Sequence, residues 1–157
     1  MNNEDILFMR RAIELSRESV KSGGGPFGAL IVKEGVVIAE GSNCVTKHHD
    51  PTAHAEIVAI REAAGKLNAF DLSGCVIYSS CEPCPMCLGA IYWAHLDKLF
   101  YGNTKTDAHD IGFDDSFIYR ELDLSPDKRQ LPMTQILADE AILAFREWSE
   151  KPDKTEY

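Results

Sequence analysis

Apolar residues recur every three to four positions from about Glu4 to Ser22, with Ile6, Met9, Ile13 and Val20 among them, and this spacing predicts a first helix. Gly23-Gly24-Gly25-Pro26 stops it. The β-rich runs Phe27 to Val32 and Val36 to Glu40 flank Lys33-Glu34-Gly35, which reads as a hairpin. After a loop from Gly41 to Thr52, Ile57, Ile60, Ala64 and Leu67 share one face of a second helix, from about Ala53 to Leu67. Cys75 to Ser80 is a short apolar strand. Pro83 and Pro85 suit the opening turn of a third helix that runs to about Ala94. Its stretch Leu88, Ala90, Ile91, Tyr92, Trp93 is apolar almost all round, which places it in the interior or in a subunit interface. Lys98 to Tyr101 follows as a strand, then a polar loop, a strand at Met133 to Leu137, a helix from about Glu140 to Ser149 and a polar tail. Strands alternating with helices predict a three-layer α/β/α domain.

The 157 residues are the length of one domain with a full core. Hydrophobic residues make up 45% and charged ones 26%, which excludes a disordered chain. With 16 basic and 25 acidic side chains the net charge is −9, which argues against binding nucleic acid through its backbone. No apolar run approaches the ~18 residues of a membrane helix. The acidic start Met-Asn-Asn-Glu-Asp is unlike a secretory signal, so a cytoplasmic location is expected. In a reducing compartment the cluster Cys81, Cys84, Cys87 points to a metal or a catalytic thiol before a disulfide.

Two motifs carry the chemistry. His54-Ala55-Glu56 opens the second helix and Pro83-Cys84-Pro85-Met86-Cys87 opens the third. Catalytic zinc keeps three imidazole or thiolate ligands plus water, and His54, Cys84 and Cys87 supply that set. A helix N-terminus favours the thiolate that zinc needs. The second helix carries the chain about 20 Å away at 1.5 Å per residue. The strand Cys75 to Ser80 returns it by about 20 Å at 3.3 Å per residue. Both helix starts therefore face one pocket. Glu56, at the end of its helix, can reach the same site as general base and then acid. Two other readings stand beside this one. Cys81 could close a structural zinc site as fourth ligand, and a Pro-Cys-x-x-Cys alone could be a redox pair or core. By default Cys44, Cys75 and Cys81 are small packed residues near strands. His48, His49, His95 and His109 read as surface or loop residues.

The His-x-Glu and Pro-Cys-x-x-Cys pair is the signature of zinc nucleobase deaminases. Further motifs narrow the resemblance: Gly25-Pro26-Phe27-Gly28-Ala29, Asp50 to Glu56, Ser80 to Trp93, and Gly112-Phe113-Asp114-Asp115-Ser116-Phe117. On these the chain resembles the bacterial guanine deaminases of the cytidine deaminase superfamily. The resemblance implies one deaminase domain over residues 1–157, with a cytidine-deaminase-like fold and a mixed central sheet. It implies one Zn(2+) per subunit and hydrolysis of guanine to xanthine and ammonia, zinc hydroxide attacking C2 with Glu56 as proton shuttle. Backbone N–H groups of Ala55 and Cys84 would hold polar atoms near the metal, and Asn43 would read the purine edge. Phe27 and Trp93 would stack on or wall the base. Asp115 would accept from the guanine amino side and help relay protons. Read without the resemblance, Asn43 is a turn residue, Phe27 and Trp93 are core aromatics, and Asp115 is a surface turn or helix cap. The family also implies a homodimer that swaps its C-terminal segment, about 135–157, so that Tyr157 closes the partner's pocket. The alternatives are a guanosine or other purine nucleoside deaminase, a tRNA adenosine deaminase, a cytosine deaminase, or a zinc-stabilised binding module without catalysis.

Overall fold

The structure, a computed structural model, describes residues 3–157 and divides into two compact units, Met1–Ser116 and Phe117–Tyr157. The first unit is built on four strands: β1 (Gly28–Lys33), β2 (Val36–Ser42), β3 (Cys75–Cys81) and β4 (Lys98–Asn103). Their order is β2-β1-β3-β4, antiparallel on both sides of β1 and parallel between β3 and β4. Helix α1 (Asn3–Lys21) covers one face of the sheet with Ala12 and Leu15 against Leu30, Val32 and Tyr78. Helices α3 (Ala55–Leu67) and α4 (Pro85–Trp93) cover the other, where Ala55, Ala59, Ala63 and Ile91 meet Ala29, Ile31 and Ile77. The expected three layers are present, and the mixed sheet agrees with the resemblance. Because both faces are covered, Gly28 to Val32 of β1 are buried without alternation. Burying each of Leu30, Ile31 and Ile77 contributes about 1.5–3 kcal/mol.

Two glycines let the outer layers close on the sheet. A Cβ on Gly28 would lie 2.5 Å from the Ala12 carbonyl oxygen and 2.5 Å from the Ser16 nitrogen in α1. On the opposite face, a Cβ on Gly41 would lie 2.2 Å from the Ala55 carbonyl oxygen and 2.8 Å from the Ala59 nitrogen in α3. The start of α3 therefore rests directly on the backbone of β2.

Several elements differ from the sequence expectation. In α1 the sheet takes the stripe through Ala12, Leu15 and Ser19, leaving Ile6, Ile13 and Val20 exposed. The helix carries apolar residues on more than one side, and only the stripe with a small residue opposite Gly28 permits the close approach. A one-turn helix α2 (Val45–His48) lies in the loop before His54. The segment read as a polar loop holds α5 (Lys105–Asp110), α6 (Ser116–Asp123) and a 3₁₀ turn at Pro126–Lys128. Thr104 and Asp107 form a capping box on α5, with the Thr104 hydroxyl and backbone N–H each 2.7 Å from Asp107 Oδ2. The strand expected at Met133 to Leu137 is absent. That segment joins no ladder among the described residues, and Leu137 at φ 53° ends any extended run.

In the second unit Arg129 Nε donates to the carbonyls of Glu121 (3.0 Å) and Leu124 (3.1 Å), and the Gln130 N–H donates to Glu121 Oε2 at 2.8 Å. Helix α7 (Ala138–Glu150) buries no residue, although it carries Ile142, Leu143, Phe145 and Trp148. No helix among the described residues is long and apolar enough to cross a membrane.

Gly41→Ala is expected to force the α3 backbone outward and cost about 1–3 kcal/mol, the usual range for overpacking. Calorimetry should read this as a thermal midpoint several degrees lower, at about 2–4 °C per kcal/mol for a chain of this size. A midpoint within about a degree of wild type would refute the close-approach account.

Candidate active site

His54 is the N-cap of α3 and Cys84 is the N-cap of α4. Both have extended backbone, and neither side chain caps its own helix. An N-cap side chain ordinarily bonds back to the first turn. Here both side chains turn toward each other instead. Pro85 at the first position of α4 removes one N–H that would otherwise lack a partner. Loop contacts fix where α3 begins. Asp50 Oδ1 accepts from the Thr52 N–H at 2.8 Å and the Thr52 hydroxyl at 2.7 Å, and Asp50 Oδ2 accepts from Arg61 at 3.2 Å.

His54 Nδ1 lies 3.6 Å from Cys84 Sγ and 3.5 Å from Cys87 Sγ, and the three ligand atoms fall within 4.8 Å of one another. Tetrahedral zinc, about 2.05 Å from an imidazole nitrogen and about 2.3 Å from a thiolate, separates nitrogen from sulfur by about 3.6 Å. The spacing fits that ion. Hydrogen bonding from Cys87, then from His54, holds the Cys84 thiol down to about 4, while sharing with Cys84 pushes the Cys87 thiol up. His54 is raised by its bond to Cys84. A thiolate, a second sulfur and an imidazole competing for shared protons form the donor set a divalent cation takes over.

No fourth His, Cys, Asp or Glu joins the three among the described residues. Cys81, the rival ligand, is buried at the end of β3, and its thiol donates to the Thr104 carbonyl at 3.7 Å. Burial pushes that thiol up to about 11, so it keeps its proton and lies outside the donor set. Cys75 is packed at the start of β3, and Cys44 stands at the N-cap position of α2 without a side-chain capping bond.

Glu56, in the first turn of α3, is only 5% exposed. Burial pushes its carboxyl up, against the opposing hydrogen bonds that include Ser79 and Cys87. Ser79 Oγ donates to Glu56 Oε1 at 2.9 Å. Nothing in the sequence reading pointed to Ser79. Its one signal is a hydroxyl in a strand whose inward positions are otherwise apolar or sulfur-bearing.

The remaining predicted residues divide into two groups. Asn43 and Phe27 are neighbours: the Asn43 N–H donates to the Phe27 carbonyl at 3.1 Å, and Cβ-less Gly25 makes room for both side chains. The Cys44 N–H donates to the Ala53 carbonyl at 2.9 Å, which ties this corner to His54 and Ala55. Asn43 Oδ1 accepts from the Val45 N–H at 3.2 Å. Phe113 meets Phe27 edge to face, 4.9 Å between centroids. Asp115 is half-buried, and its carboxyl is raised by that burial and then by Cys84. A cavity of about 350 Å³ opens alongside, between Pro26, Phe27, Cys81, Asn103 and Ile111. Trp93 and Tyr157 form the exposed group. Trp93 lies six residues past Cys87, about 9 Å along the α4 axis, and is 69% exposed. Tyr157 belongs to the second unit and is 74% exposed. The other histidines lie in loops or on the surface, His95 by Asp71 and His109 by Asp114, both at 3.4 Å.

Residues 2–103 match the cytidine and deoxycytidylate deaminase zinc-binding region. The chain belongs to the cytidine and deoxycytidylate deaminase family. Zinc is the cofactor of that family's region, and the donor set found here suits it. Within the family, guanine deaminase of Bacillus subtilis is 52% identical over 158 aligned positions, covering 100% of both chains. Its crystal structure superposes with a TM-score of 0.94, covering 100% of this chain and 99% of that one. The protein NE0047, solved with 2,6-diaminopurine, is 37% identical with a TM-score of 0.67, over 69% of this chain and 61% of that one. A tRNA-specific adenosine deaminase of Aquifex aeolicus is 40% identical over 94 residues, 60% of this chain and 62% of its own.

Cys87→Ser is expected to weaken zinc binding by more than about a hundredfold, beyond what loss of an outer partner costs. Cys81→Ser should keep one zinc per chain. Chelator competition with metal analysis measures both, and zinc loss in Cys81→Ser would restore the closed four-ligand site.

Proposed function

We propose that this protein hydrolyses guanine to xanthine and ammonia. The observation that carries the reading is the donor set of His54, Cys84 and Cys87 beside the buried carboxyl of Glu56. The full-length likeness to Bacillus subtilis guanine deaminase supports it. Zinc held by the three ligands supplies the Lewis acidity that makes water a nucleophile near neutral pH.

The side chains do the rest. Asn43 donates from its NH2 to an acceptor on the purine edge. Phe27, braced by Phe113, walls one face of the base. Asp115 accepts from the exocyclic amine at C2, which favours guanine over purines lacking it. The N–H groups of Ala55 and Cys84 steady polar atoms beside the ligands. Glu56 takes a proton from the attacking water and passes it to the ring nitrogen next to C2. Glu56 then takes the remaining proton from the oxygen added at C2 and delivers it to the departing amine, so that the C2–N bond breaks, ammonia leaves and the oxygen stays on C2 as a carbonyl. Burial suits this work, since it raises the carboxyl from its ordinary range, the direction a proton carrier needs.

The test is ammonia release from guanine, guanosine, adenine, adenosine and cytosine. Guanine is expected to lead, and Glu56→Gln to lose several orders of magnitude with zinc retained. A tRNA substrate is disfavoured by the net charge of −9 and by the shorter match to tRNA deaminases. Preference for guanosine, or turnover indifferent to Glu56→Gln, would overturn the reading. The five unpaired thiols suit a cytoplasmic location.

The working unit is a homodimer that exchanges its C-terminal segment, about 135–157, with Tyr157 closing the partner's site. Its support is apolar surface that one chain leaves exposed: Phe145 and Trp148 of α7, and Tyr92 and Trp93 of α4. Deleting Lys154 to Tyr157 is expected to cut turnover at least about a hundredfold, more than about 2.7 kcal/mol of barrier, with zinc still bound. Full activity in the shortened chain, or a one-chain mass for the wild type by sedimentation, would refute the exchange.

A further inference from the structure

Successive odd-numbered residues of β3 point to the α3 face: Cys75, Ile77, Ser79 and Cys81. Ser79 pairs with Ala29 on β1 and with Tyr101 on β4, is 2% exposed, and looks into a layer built from Ala55, Ala59 and Ile77. An alanine would satisfy that packing. The hydroxyl instead lies 2.9 Å from Glu56 Oε1. On its other side Ser79 Oγ accepts from the Cys81 N–H at 3.5 Å. An ionised carboxylate only accepts, so the single hydroxyl proton points to Glu56. The chain runs in one direction, from the Cys81 N–H to the Ser79 hydroxyl to Glu56 Oε1.

We propose that Ser79 is the positioning residue for Glu56, fixing the carboxyl by one oxygen so that the other, Oε2, handles the proton in transit. This rests on the deaminase reading above. A buried glutamate has several rotatable bonds, and its two oxygens are equivalent until something distinguishes them. A hydroxyl donor does so without supplying a charge or a competing base. A hydroxyl-to-carboxylate bond is directional, which holds the carboxyl while the substrate changes around it. Among the described residues the Ser79 hydroxyl bonds to Glu56 Oε1 and to the Cys81 N–H, and its effect on the proton transfer passes through Glu56.

The test uses the zinc-loaded enzyme and whichever compound of the five-member panel turns over fastest. Ser79→Ala is expected to lower kcat about tenfold, the worth of one hydrogen bond to a charged group, and to leave KM within about twofold. Zinc content should stay at one per chain. Ser79→Thr, which keeps the hydroxyl in a strand, should recover most of the lost kcat. On a Glu56→Gln background, Ser79→Ala should cause no further loss, because the two residues act as one unit. The proposal is overturned if Ser79→Ala keeps kcat within about twofold of wild type, or if Ser79→Thr falls as far as alanine. The same loss on the Glu56→Gln background would equally overturn it. A wild type that prefers another panel compound would refute guanine as substrate while leaving Ser79 fully testable. A wild type that turns over none of the five removes both proposals.

Discussion

The imidazole of His54 and the thiols of Cys84 and Cys87 lie within 4.8 Å of one another because α3 and α4 begin at the same edge of the sheet. Strand β3 makes that possible by carrying the chain back past the length of α3 before the second motif starts. Each helix offers its N-cap side chain to the partner motif in place of capping itself. The ends of α3 and α4 also present partial positive charge, which favours thiolate and carboxylate at the same spot. Everything else in the site is arranged around this pair of helix starts.

Bringing α3 that close has a packing requirement and a polar one. The packing requirement is met by Gly41, where the helix backbone occupies the space a side chain would need. The polar requirement comes from Glu56, which enters a layer of alanines and isoleucines with a carboxyl. A buried carboxyl without donors costs several kcal/mol. Ser79 from β3 reduces that cost and, in the same contact, orients the group. Asn43 and Phe27 share the logic on a smaller scale: a glycine beside them and two backbone bonds hold them at the pocket's side.

The C-terminal unit obeys different physics. Its helices are amphipathic, yet α6 and α7 bury no residue, and the apolar side of α7 has Phe145 73% exposed. A helix with that composition gains most of its stability from covering an apolar face. In the exchange proposed above, a second chain would cover that face and bring Tyr157 to a pocket, joining folding of this unit to assembly.

The sequence by itself determined the four strands and three long helices of the first unit, the layer architecture and the metal set, but not the short helices α2 and α5. Those depend on short-range spacing: helical periodicity, Pro at a helix start, and ligand motifs a few residues long. It also singled out Glu56, since a carboxyl next to a ligand has little else to do at a helix start. Tertiary structure alone decided which stripe of α1 faces the sheet, because several stripes are apolar and only one fits against Gly28. It alone removed the strand at Met133 to Leu137, which lacked a ladder to join. It excluded Cys81 from the ligands, since a spacing of three fits a metal motif as well as a strand end. And it revealed Ser79, a residue of no motif, whose meaning comes from a carboxyl 23 positions earlier in the chain. Contacts of that range depend on how the sheet and helices stack, and no local pattern encodes them.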